Sequence, residues 1–180
     1  LNGDGNRSPS GTGNSADNVI TGDALHNTLD GGGGTDTLQG GRGYDTYIID
    51  SSDDVIIEVR DPGYDLKNTV ISSASYTLPA LVTDLTGTGN DHLVLKGNGL
   101  RNFIECNDAG NSAYGGAGDD YLSGGSGHDY LSAGTDGGAL YGGDGNDTLV
   151  GGADGAYMVG GSGGDRFQIN AIPGSPVGIE

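Results

Sequence analysis

A nine-residue period restricts this chain more than any other feature. Cut every nine residues from Gly97, the sequence gives eight consecutive segments with no insertion: GNGLRNFIE, CNDAGNSAY, GGAGDDYLS, GGSGHDYLS, AGTDGGALY, GGDGNDTLV, GGADGAYMV and GGSGGDRFQ. Four of the eight follow GGxGxDxUx in full, where U is a large apolar residue. An earlier block, cut from Gly13, reads GNSADNVIT, GDALHNTLD, GGGGTDTLQ and GGRGYDTYI. Self-similarity at a fixed period marks units that bury their apolar face only by stacking on one another. Between the blocks, residues 49–96 are less regular, although Asp54 and Ile56 keep positions six and eight, and 73–78 reads as a short strand. The pattern predicts a continuous or nearly continuous solenoid with an irregular middle. Its parts are a tail 1–12, a repeat block 13–57, a connecting β segment 58–96, a second block 97–168 and a tail 169–180.

The chemistry of each position predicts the shape of the unit. Glycines allow the positive φ and close backbone approach of a tight loop. The last three residues, xUx, form a short strand with its central side chain inward and its neighbours toward solvent. Two units make an 18-residue turn, and successive turns stack as parallel strands ~4.8 Å apart. The expected fold is all-β, a right-handed parallel β-roll. Its core is a single file: Ile20, Leu29, Leu38, Tyr47 and Ile56, then Ile104, Ala113, Leu122, Leu131, Leu140, Leu149, Met158 and Phe167.

One buried side chain per nine ordered residues is a thin core, since ordering the backbone opposes folding at every residue. The composition sharpens the problem. The 180 residues include 39 Gly and 25 Asp plus Glu against 7 Lys plus Arg, for a net charge of −18. Such a surface disfavours nucleic acid and attracts cations. A bound cation would relieve the repulsion between stacked carboxylates. Loop carbonyls and aspartates are hard oxygen donors, available six or more at a time, which suits Ca²⁺ better than Mg²⁺. A single cysteine, Cys106, excludes an internal disulfide framework, and without clustered His or paired Cys zinc is disfavoured. No apolar run is long enough to span a membrane, and the N-terminus does not read as a signal peptide, so an export address is expected elsewhere.

The nonapeptide GGxGxDxUx resembles that of the RTX (repeats-in-toxin) proteins of bacteria, over about two thirds of the chain. The passage from Gly43 through Leu78 is similar to the connectors between RTX blocks. The resemblance implies export by a type I secretion route, an unfolded state in the calcium-poor cytosol and folding on several Ca²⁺ ions outside the cell. It also implies a ligand rule. One loop gives the carbonyls of its first and third residues and its Asp; the loop a full turn on gives carbonyls two and four and its Asp. Under that rule Gly124, Ser126 and Asp129 share an ion with Gly143, Gly145 and Asp147. Likewise Gly142, Asp144 and Asp147 share one with Gly161, Gly163 and Asp165.

The rule divides the second block. Along one side the sixth positions are Asn111, Asp129, Asp147 and Asp165, an intact row; along the other they are Asn102, Asp120, Gly138 and Ala156, a decayed one. Asp136 and Asp154, both at position four and 18 residues apart, form either a variant site or solvated loop carboxylates. In the first block Asp36 can pair with Asn18 or Asp54, and Asp45 with Asn27. The asparagine half-sites lack a charge and a fourth-position glycine, replaced by Ala16 or Leu25, so weak or empty sites are expected there.

Other matches read as by-products. Residues 160–164, GGSGG, imitate a GxSxG nucleophile elbow, but that chemistry needs a strand-to-helix turn and a His partner. Asn2, Asp4 and Asn6 imitate an EF-hand start, with Arg7 where glycine is required. His26, His92 and His128 read as exposed loop residues, His128 standing beside Asp129, and Cys106 reads as a small inert residue. Thr86 to Asp91 resemble an ice-binding loop in one copy only. Outward positions of the decayed side carry Phe103, Tyr121, Tyr141, Tyr157 and Val159, an aromatic stripe. Three functions stand open: a calcium-dependent folding and secretion module for an attached domain, a polysaccharide-binding module of an extracellular enzyme such as an alginate epimerase or of an adhesin, and an enzyme. Missing acid, base and nucleophile constellations disfavour the last.

Overall fold

The computed structural model describes residues 9–60, 67–170 and 178–179. Among these there is no helix, and every strand pairing is parallel. The chain winds as a β-solenoid with two faces. One face is a ten-stranded sheet running from Ser10–Thr12 to Gly178–Ile179. The opposite face is split into a three-stranded sheet, Val19–Thr21 to Val55–Ile57, and a six-stranded sheet, Tyr76–Thr77 to Arg166–Gln168.

The register follows from the period. Thr28 pairs with Thr46, Tyr121 with Ala139 and Thr148 with Arg166, each eighteen residues on. Repeat strands bury their central residue between two less buried neighbours, as in Thr37–Gln39 around Leu38. In the second block some strands run on through the next glycine pair, as in Asp120–Ser126 and Gly138–Asp144, so parts of the loops join the ladder. The inward file is buried throughout except at Ile20 and Phe167, which are partly buried against it near the two ends of the repeats. Val150, expected to face outward, is buried.

The connecting segment keeps the sheet but not the turn length. Thr46 pairs with Thr69 across a 23-residue step, Thr69 with Asp84 across fifteen and Asp84 with Phe103 across nineteen. The short step turns tightly at Leu81, which takes φ 72°, the one positive φ at a non-glycine among the described residues. Val70, Val82, Leu85, Leu93 and Leu95 thicken the core here, so the segment is held by apolar packing more than the repeats are. Residues 73–78, expected as a strand, contain Tyr76–Thr77. The Tyr76 hydroxyl donates to the Asp54 carbonyl at 3.0 Å, joining the two sheets of the split face where no ladder does.

Candidate metal site

Each repeat delivers its sixth residue at the entrance to a strand, where the side chain turns back under the loop. There one carboxylate oxygen is consumed by the backbone. The Asp129 Oδ1 accepts the Asn111 N–H at 2.5 Å, Asp147 Oδ1 the Asp129 N–H at 2.8 Å, and Asp165 Oδ1 the Asp147 N–H at 3.0 Å. Asp120, Asp45 and Asp36 accept from Asn102, Asn27 and Asn18 in the same way, at 2.8, 2.7 and 2.8 Å. The second oxygen is left over. Asp36, Asp45, Asp120, Asp129 and Asp147 each hold a buried Oδ2 without a hydrogen-bond partner. A buried acceptor of this kind costs free energy until a positive group meets it. Burial accordingly raises Asp45 and Asp129 to about 6 and Asp120 to about 7, and pushes Asp147 up.

Three of these oxygens, on Asp120, Asp129 and Asp147, point into small cradles lined by the next turn. A Cβ added at Gly124 would meet Asp129 Oδ2 together with the Gly142 carbonyl oxygen, and one at Gly142 would meet Asp147 Oδ2 with the Gly160 carbonyl. At Gly115 the pair is Asp120 Oδ2 and the Ala133 carbonyl. Above them the loops stack in register, Gly125 on Gly143 on Gly161 and Ser126 on Asp144 on Ser162. Gly143 and Gly145 take φ of 105° and 139°, and a Cβ on either would strike a carbonyl of the turn before. Among the described residues no three His, Cys, Asp or Glu side chains form a metal cluster. Orphaned carboxylate oxygens beside carbonyls are a donor set that fits Ca²⁺.

Where the sixth residue is asparagine, the loop satisfies itself. The Asn27 amide accepts the Asp23 N–H at 2.8 Å and donates to the Leu25 carbonyl, a fourth-position oxygen, at 2.6 Å. Asn111 donates to the Asn107 carbonyl at 2.8 Å, and Asn102 donates to Asn98 Oδ1 in its own loop at 3.3 Å and to the Thr83 carbonyl of the preceding turn at 3.2 Å. An amide N–H thus stands where a cation would otherwise be needed. Asp54 is also supplied, its Oδ2 accepting the Ser51 N–H at 3.1 Å.

On the decayed row the cradle closes in step with the lost carboxylate. The repeat with Gly138 at position six has Ala133, fully buried, at position one, and the methyl of Ala156 packs 3.4 Å from where a Gly151 Cβ would lie. The two position-four aspartates part company. Asp136 Oδ2 accepts the Gly118 N–H at 2.7 Å and clasps the preceding loop, whereas Asp154 is exposed.

The remaining sequence features take ordinary places. All three histidines are exposed, and His128 Nδ1 accepts the Asn146 N–H at 2.7 Å. Cys106 packs against the core, and burial, then the nearby Asp129, pushes its thiol up to about 12. Ser162 ends the strand Tyr157–Ser162 and donates to Asp144 Oδ1 at 2.5 Å, with no helix following. The EF-hand-like residues 2–7 lie outside the described residues. The aromatic stripe is a stack: Phe103 lies 4.6 Å from Tyr121 at 11°, Tyr121 5.0 Å from Tyr141 at 34°, and Tyr141 6.0 Å from Tyr157 at 58°. The sequence reading missed Asn68 and Glu58, which the 23-residue step brings to Asp45 and Tyr47. Asn68 Oδ1 accepts the Asp45 N–H at 2.8 Å, and Glu58 accepts from the Tyr47 hydroxyl. Neither residue falls on the nine-residue phase, so no periodic signal points to it.

Compared with known families, the chain matches the RTX calcium-binding nonapeptide repeat in four copies, over residues 12–47 and 107–140. It matches no curated protein and no solved structure.

Proposed function

Because four copies of the RTX calcium-binding nonapeptide repeat match the chain and it winds as a β-solenoid, we propose that it is a Ca²⁺-binding β-roll and that calcium switches it from disorder to a rigid rod outside the cell. In this reading the chain crosses a type I exporter unfolded, in calcium-poor cytosol, and orders in the calcium-rich exterior, where it supports an attached domain. Asp129 and Asp147, and Asp147 and Asp165, share ions with the loop carbonyls of Gly124, Ser126, Gly143 and Gly145, and of Gly142, Asp144, Gly161 and Gly163. Asp36, Asp45, Asp54 and Asp120 bind at the ends of shorter rows, and Asn111 contributes a neutral oxygen at most.

The observation that carries this reading is the set of five buried carboxylate oxygens without partners. They make the ion-free fold costly and the ion-loaded fold favourable, so binding energy becomes folding energy. Circular dichroism tests it. Chelator should leave the chain largely disordered, millimolar Ca²⁺ should restore β structure, and equal Mg²⁺ should do so poorly. A β spectrum unchanged by chelation sinks the claim. Protease protection that appears only at extracellular calcium levels is expected as well, and equal protection at cytosolic levels would remove the secretion half of the proposal.

A further inference from the structure

At one turn of the long sheet the repeat chemistry breaks while the need for a cation persists. Asp45 is 1% exposed; its Oδ1 accepts the Asn27 N–H at 2.7 Å, and its Oδ2 has no partner. In an intact turn the sixth residue one turn on supplies a second carboxylate, as Asp147 does for Asp129. Here the next turn is lengthened to 23 residues, and the residue that receives the Asp45 N–H is Asn68, which carries no charge.

The longer turn brings another acid to the same place. A Cβ at Gly40 would collide with Asp45 Oδ2 and with the Tyr47 hydroxyl, where Gly124 and Gly142 instead meet a carbonyl of the next turn. Tyr47 is fully buried, and its hydroxyl donates to Glu58 Oε1. A phenol has one proton to give. Having given it to Glu58, Tyr47 has no proton for Asp45 Oδ2, and the Gly40 N–H donates to the Tyr47 oxygen and not to that carboxylate. The buried carboxylate oxygen is thus left beside a phenol oxygen with no positive partner, an arrangement that a cation would relieve.

We propose that Glu58, from the connecting segment, is an acidic ligand of a calcium site formed with Asp45 Oδ2 and the Tyr47 hydroxyl. Asp45 and Glu58 restore the two negative charges that Asp129 and Asp147 supply elsewhere, and all three donors are hard oxygens. The Val59 N–H donates to Glu58 Oε2 at 3.2 Å, which holds the carboxylate in place. The site deepens the calcium reading above and rests on it. It ties the irregular segment into calcium-dependent folding at the point where the 18-residue period fails.

The test is a calcium count on the full chain by equilibrium dialysis, comparing the native sequence with Glu58→Gln, which keeps an acceptor for Tyr47 but loses the charge. One ion fewer, with the remaining ions and the calcium-induced β spectrum retained, is expected. An unchanged count and affinity overturns the proposal and leaves the Asp129, Asp147 and Asp165 sites untouched. A native chain that binds no calcium fails the broader reading instead. Should Glu58→Gln not fold, Tyr47→Phe in Tb³⁺-loaded chain decides. Loss of the tyrosine-sensitised emission assigned to one ion supports the site, and emission equal to the native chain's refutes it.

Discussion

The two faces of the second block are built from the same repeat, in the same turns, and solve the same problem differently. On the six-stranded face Asp129 and Asp147 keep first-position glycines beneath them and leave buried oxygens unpartnered. On the ten-stranded face the row begins with Asn102 and Asp120 and ends with Gly138 and Ala156, and there Ala133 and the Ala156 methyl fill the space that a carboxylate would occupy. The six-stranded face thus leaves two carboxylate oxygens, on Asp129 and Asp147, for a positive partner, whereas the ten-stranded face leaves one, on Asp120, and then fills its row with methyl groups. A loop can lose its aspartate without losing the fold: in one repeat the first and sixth positions change together, to Ala133 and Gly138, and in the next Gly151 stays while the Ala156 methyl replaces the carboxylate. A buried carboxylate left without its cation is the arrangement that costs most.

The largest expected effect breaks this comparison at its centre. Asp147 lies between Asp129 and Asp165, and under the proposed assignment it serves both of their sites, so Asp147→Ala should remove ligands from two ions at once. The calcium midpoint for folding should rise by on the order of tenfold or more, about 1.4 kcal/mol per decade. Asp154→Ala, at an exposed carboxylate on the decayed row, should stay within about 0.5 kcal/mol. Calcium titrations followed by circular dichroism, with bound ions counted, compare the two. Equal losses would erase the distinction between the rows.

A smaller effect follows from protonation. In the ion-free fold burial holds Asp45 and Asp129 at about 6 and Asp120 at about 7, above their ordinary value of 3.8. A raised acid binds its proton more tightly when folded. These groups therefore favour the ion-free fold below about pH 4, and that contribution is lost as pH rises through 6 to 7. In chelator, β structure should be greater at pH 4 than at pH 8. With calcium the order reverses, because the ion needs the carboxylates deprotonated, and uptake at pH 6 should release protons. Calorimetry in buffers of different ionisation enthalpy measures that release. Proton release that is absent at pH 6 would mean that the buried carboxylates are not the ligands.

The sequence made the roll legible because a repeat repeats its physics. Position eight of each unit reads directly as core, and Leu122, Leu131, Leu140 and Leu149 are all fully buried. The division into rows was legible for the same reason, since eighteen residues separate stacked sixth positions. What escaped was everything off the period. Nothing in the phase marks the 23-residue step, so neither Asn68 beneath Asp45 nor Glu58 beside Tyr47 could be placed. Whether an aspartate oxygen is orphaned was equally hidden. Asp54 fits the repeat as well as Asp36 does, yet a local turn brings the Ser51 N–H to its second oxygen.

The smallest effect concerns the aromatic stripe of the ten-stranded face. As a sequence feature it suggests a platform for a glycan, because clustered exposed apolar surface tends to mark contact sites. The geometry favours another role. Phe103 and Tyr121 are nearly parallel at 4.6 Å, so each covers a face of the other, and Tyr141 leans on Tyr121 at 5.0 Å. Rings stacked along the roll axis turn edges outward, whereas a stacking ligand needs a free face. The stack instead joins neighbouring turns where Gly138 and Ala156 provide no ion, and cross-strand aromatic pairs contribute about 0.2–1 kcal/mol each. The triple variant Tyr121→Ser, Tyr141→Ser and Tyr157→Ser should thus fold with calcium but melt earlier, by roughly 1–3 kcal/mol in all. Oligosaccharide binding, measured alongside, should be the same for both chains. A variant that melts with the native chain but loses binding to an oligosaccharide would return the stripe to the role of a contact face. It would also mean that the decayed row is shaped by a partner and not by the demands of stacking.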